Sequence, residues 1–174
     1  MYKKLTMLFA LVIVMSLMLS PAFAKGKSDP AGKSNVGHLY LYEKDSETWE
    51  IVEGGAWGKM KYNLSGPTFD FVFNGHSLAI GQDYTLIYYP DPWPGEGLIC
   101  LGSGKANKGG NVHIMGSVDT GDLPNEIDEN YPDGAKIWLV LTDDVDCDQA
   151  KMVGWDSSAY LFEYDLITFE EKVE

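Results

Sequence analysis

Phe69, Phe71 and Phe73 recur at period two, with Asp70 and Val72 between them, and the run meets Asn74-Gly75, a dipeptide favoured in tight β-turns. Side chains alternate across a β-strand, so this spacing predicts a strand with one buried aromatic face and one wet face, ending at the turn pair. The same logic extends along the chain. Gly37 to Tyr42 is rich in β-favouring aromatics, Trp57 to Leu64 alternates apolar and polar residues, and Tyr84 to Tyr89 reads as the next strand, closed by Pro90, Pro92 and Pro94. Segments 97–101, 111–118, 135–141 and 159–169 complete about eight expected strands. The connections are dense in Gly, Asp, Asn and Pro, and no segment carries a sustained 3.6-residue apolar period. The fold class this predicts is all-β, an antiparallel β-sandwich of immunoglobulin-like or chordin-like type. Leu39–Asp45 and Tyr160–Asp165 resemble one another, and lying side by side they would cover a sheet edge.

The chain opens with Lys3 and Lys4, an apolar stretch from Leu5 to Leu19, Ser20-Pro21 and the small-residue pattern Ala22-Phe23-Ala24. This is the three-part layout of a secretory signal, and its apolar run of about fifteen residues falls short of the roughly twenty that cross a bilayer. Residues 1–24 are therefore expected to be a signal peptide cleaved after Ala24, with an uncleaved anchor as the alternative. Residues 25–36, poor in apolar side chains, read as a flexible leader, and 37–174 as one β domain. Secretion or display at the cell surface follows as an expectation.

Charge narrows the partners. The chain carries 26 acidic residues against 13 lysines and no arginine, a formal charge of −13. Cleavage would remove Lys3 and Lys4 and take this to −15. Nucleic acid needs a cationic stripe and is disfavoured, as is a bare anionic membrane. An extracellular protein or a glycan remains a permitted partner. Outside the cytosol the two cysteines, Cys100 and Cys147, are expected to pair, closing a loop of about 48 residues.

Two constellations suggest binding. The acidic loops place Asp119, Asp122, Asp128 and Asp133 in one segment and Asp143, Asp144 and Asp146 in another, hard oxygen donors of the kind calcium prefers, or else solvated turn residues. The Asp128-Glu129-Asn130…Asp133-Gly134 spacing misses the EF-hand register, so that motif is rejected. The second constellation is aromatic: five tryptophans and ten tyrosines, of which Trp93, set among three prolines beside Tyr89, is the best candidate for a ligand-contacting surface ring. Asn63-Leu64-Ser65 matches a glycosylation sequon. His38, His76 and His113 are scattered and no nucleophile elbow or zinc motif is present, which disfavours catalysis.

The runs Gly55–Met60, Phe69–Leu78 and Tyr84–Tyr89 resemble secreted domains of uncharacterised function associated with archaea, especially methanogens, and are loosely similar in architecture to chordin-type sandwich domains. The resemblance implies a secreted β-sandwich and supplies no catalytic residues. The function expected from these features is a non-catalytic module for surface or envelope interaction. The alternatives are a calcium-assisted carbohydrate-binding module and a secreted acidic hydrolase using paired carboxylates.

Overall fold

The computed structural model describes residues 34–172; the expected signal peptide and most of the expected leader lie outside them. Strands follow one another as β1 (Val36–Tyr42), β2 (Trp57–Asn63), β3 (Ser65–Gly66), β4 (Phe69–His76), β5 (Asp83–Tyr89), β6 (Ile99–Lys105), β7 (Val112–Val118), β8 (Lys136–Leu141), β9 (Val145–Asp146), β10 (Lys151–Met152), β11 (Phe162–Glu163) and β12 (Glu170–Glu171). Two 3₁₀ turns, Thr142–Asp144 and Ser157–Ala159, are the only helical segments among the described residues. The first strand takes in Val36, the last residue assigned to the leader.

One sheet has the order β11-β1-β2-β4-β7 and another β6-β5-β8, with every pairing in both antiparallel. They pack face to face. Phe69, Phe71 and Phe73 of β4 point inward with Leu39, Leu41 and Met60, against Tyr84, Leu86, Tyr88, Ile137 and Leu139 of the second sheet. Each such side chain taken out of water stabilises the fold by roughly 1.5–3 kcal/mol. The protein is an all-β, sandwich-like fold.

Strand β5, as the central strand of its sheet, is buried on both faces. Tyr84, Leu86 and Tyr88 enter the core between the sheets, whereas Ile87 and Tyr89 enter a second apolar cluster with Leu98, Trp138, Val140, Val145, Met152, Tyr160 and Phe162. That cluster forms because segment 142–160 folds over the outer face of the β6-β5-β8 sheet. The Cys100–Cys147 disulfide, with Cα atoms 5.8 Å apart, ties this cover to β6.

Two expectations need correction. Asn74-Gly75 does not end its strand: Gly75 pairs with Gly58 on one side and Val112 on the other, within β4. A Cβ at Gly75 would press on Val112 and Leu78 at 2.8 and 2.9 Å, so glycine is there for close packing, and the chain reverses after Ser77 at φ 61°. Segment 159–169 is not one strand. It steps from β8, through the Leu139–Leu161 bridge, to β1, where Tyr42 pairs with Phe162, and back to Ala135 through Ile167. Switching between layers is what limits β11 to two residues. The expected neighbourhood of Leu39–Asp45 and Tyr160–Asp165 is present in the β1–β11 pairing.

Candidate functional site

Four of the five tryptophans converge on one open cleft of about 710 Å³, lined also by Tyr89, Phe162, Lys44, Lys136, Asp91 and Glu163. Its size is that of small-molecule sites. The floor is Trp138 of β8, buried and stacked on Tyr89 of β5 with centroids 3.9 Å apart and planes 12° from parallel. Burial, and then the charges of Asp91 and Asp128, push the Tyr89 hydroxyl up to about 12. Tyr89, expected together with Trp93 to contact a ligand, is buried and forms half of the floor.

Three half-exposed tryptophans form the walls: Trp49 (50 % exposed), Trp93 (52 %) and Trp155 (46 %). Trp155 meets Trp93 edge-on at 5.5 Å and Trp138 at 6.0 Å, and lies 6.4 Å from Trp49, which in turn meets the Phe162 ring edge-on at 5.2 Å. These edge-to-face contacts hold the rings against one another with their remaining surfaces open.

Each wall has a local support. Trp49 sits in a turn in which Asp45 Oδ1 accepts from the Glu47 and Thr48 N–H groups at 3.0 and 2.8 Å, and these bonds hold the Asp45 carboxyl below its ordinary value. The turn forces Trp49 to φ 59°, a left-handed conformation rare for a bulky side chain and found where surrounding structure over-determines it. Trp93 belongs to the Pro90–Pro94 loop, which rests on Asp128. That carboxylate is 3 % exposed; it accepts from the Tyr88 hydroxyl at 2.7 Å, the Asp91 N–H at 3.3 Å and the Asn130 N–H at 2.9 Å. Gly95, at φ 74°, closes the loop where a Cβ would strike the Tyr89 ring at 2.4 Å. Trp155 is carried by a segment whose Val153 and Gly154 N–H groups donate to the Asp144 carbonyl, while the Tyr160 hydroxyl donates to Asp144 Oδ2 at 2.6 Å. The Met152 N–H donates to the Pro94 carbonyl at 2.9 Å, joining the Trp93 and Trp155 walls.

The charged groups divide into a satisfied pair and an unsatisfied one. Asp91 is ion-paired with Lys136 and also accepts from Asn130 Nδ2 at 2.8 Å. Glu163 is mostly buried, which raises its carboxyl despite the opposing influence of its own N–H, Lys44, the Trp138 indole and Lys136. Neither Glu163 Oε2 nor Trp138 Nε1 completes a hydrogen bond. The Lys44 ammonium lies 5.9 Å from the Phe162 ring centroid.

The other singled-out residues are engaged elsewhere. Asp122 accepts from the Glu171 N–H at 2.7 Å and Asp146 from the Gln149 N–H at 2.8 Å, which lowers the Asp146 carboxyl. Asp119, Asp133 and Asp143 are exposed. Among the described residues no group of three or more His, Cys, Asp or Glu side chains is arranged to hold a metal ion. Asn63 uses both ends of its amide, donating to the Thr68 carbonyl and accepting from the Asp70 N–H, each at 2.8 Å. The histidines are separate: His76 packs on Trp57 at 4.5 Å, His113 bonds Asn74 and His38 is exposed.

Fold and site together define a β-sandwich with an aromatic cleft built on the outer face of its smaller sheet. No protein family, curated protein or solved structure matches the chain.

Proposed function

We propose that this chain is a non-catalytic, extracytoplasmic binding module that holds a saccharide in the tryptophan cleft. The observation that carries this reading is the convergence of Trp49, Trp93, Trp138 and Trp155 from four separate chain segments, three of them half-exposed. Burying such rings would ordinarily stabilise the fold; leaving three open on one cleft, one on a strained backbone, is what a ligand-stacking surface requires. Sugar rings present apolar C–H faces that stack on indoles and hydroxyls that need polar partners at the edge, and the cleft supplies both. The Cys100–Cys147 disulfide fits an oxidising compartment.

Affinity electrophoresis and a glycan array test the reading with wild type and Trp93→Ala. Wild type is expected to be retarded by at least one polysaccharide, and the variant to lose that retardation while unfolding at the same urea midpoint, since Trp93 is half-exposed. Absence of binding to any saccharide would sink it.

A further inference from the structure

We infer that the saccharide taken by the cleft is acidic, a uronic acid whose carboxylate is held by Lys44; this rests on the saccharide reading above. Of the four charged residues lining the cleft, Asp91 and Lys136 neutralise one another. Lys44 forms no ion pair within 4 Å and no side-chain hydrogen bond with any described residue. Lys44 is partly buried, and its ammonium stands over the Phe162 face at 5.9 Å, beside the Trp49 wall. The remaining charge, Glu163, also lines the cleft, with its Oε2 buried, and no ion pair within 4 Å joins it to Lys44.

The cleft therefore departs from the rest of the surface. The whole chain carries 26 acidic residues against 13 lysines, yet the cleft is lined by two of each, with Asp91 paired to Lys136. Repulsion from more distant carboxylates is screened over about 8 Å at physiological salt. A backbone bridge fixes Lys44 opposite Ile51, at the base of the turn that carries Trp49. A sugar stacked on Trp49 would bring a ring substituent toward that ammonium. A carboxylate there would accept charge-assisted hydrogen bonds that a neutral hydroxymethyl group cannot match.

The test is calorimetric titration with oligosaccharides of glucuronic, galacturonic and mannuronic acid, each paired with its carboxyl-reduced neutral counterpart. Wild type is expected to bind one acidic member about tenfold tighter than its neutral partner, as one charge-assisted contact implies. Lys44→Gln should bring the pair to equal affinity, Lys44→Arg should keep the preference, and Lys61→Gln, on the outer face of the larger sheet, should change nothing. Retained binding of the neutral member by Lys44→Gln shows that the variant is folded. Equal wild-type affinity for both members, or a preference surviving in Lys44→Gln, would overturn the inference and leave the saccharide reading standing. Binding of no saccharide would overturn both.

Discussion

The Tyr89 and Trp138 rings stack at 3.9 Å between centroids across the β5–β8 pairing, one layer beneath the half-exposed Trp155. Floor and walls should therefore respond differently to truncation. Trp138→Ala removes a buried ring from the second apolar cluster and is expected to cost about 3–5 kcal/mol in urea unfolding. Trp155→Ala, at a 46 % exposed ring, should cost less than half as much while weakening saccharide binding as strongly. Equal stability losses would mean that Trp155 is core rather than wall.

Trp49→Gly and Trp49→Ala delete the same ring. Only alanine must hold a Cβ at φ 59°, so the glycine variant is expected to be more stable by about 1 kcal/mol. Urea midpoints of the two variants measure this difference directly, and an alanine variant as stable as the glycine one would show that the turn stores no strain.

Asp128 joins β5 to the loop that carries Trp93. Asp128→Ala leaves the Tyr88 hydroxyl and the Asp91 N–H without their acceptor and is expected to cost about 3 kcal/mol, with saccharide binding weakened in parallel. Asp128→Asn keeps an acceptor oxygen and should lose roughly half as much. Because protein donors occupy this carboxylate, EDTA should leave the melting temperature unchanged.

Glu163 is raised by burial, so the native state holds its proton to higher pH than the unfolded chain does. The protonated form therefore contributes stability that is fully present below the unfolded-state value and is lost as pH rises through the folded one. Glu163→Gln removes the ionisable group. It is expected to raise the melting temperature at neutral pH, with the gain shrinking as the pH is lowered into the carboxylate range. A gain independent of pH would place the effect in packing instead.

Removing the disulfide in a Cys100→Ala/Cys147→Ala variant releases the 142–160 cover from β6. For a loop of this length the expected loss is about 4 kcal/mol, read from thermal and urea unfolding of the oxidised protein against the double variant.

Local pattern determined much of this protein. The period-two phenylalanines of β4 face the core because alternation is a property of the backbone alone, and β5 was legible as a strand closed by prolines, its burial on both faces being decided by its central place in the sheet. Trp93 was legible as a surface ring because proline-flanked residues cannot join a ladder. Asn74-Gly75 misled because turn propensity gave way to close packing of Gly75 between β2 and β7. The two acidic loops read in sequence either as calcium donors or as solvated turn residues, and folding gives Asp122, Asp128, Asp144 and Asp146 separate protein partners. Trp49, Trp155 and Lys44 carried no signal as site residues, since nothing within a few positions of any of them reports the others. Their meeting depends on segment 142–160 folding over the smaller sheet and on the β1–β11 pairing that brings Phe162 beside Tyr42. Secondary structure depends on neighbours along the chain and was written there; the cleft depends on neighbours across 100 residues and exists only once the layers have packed.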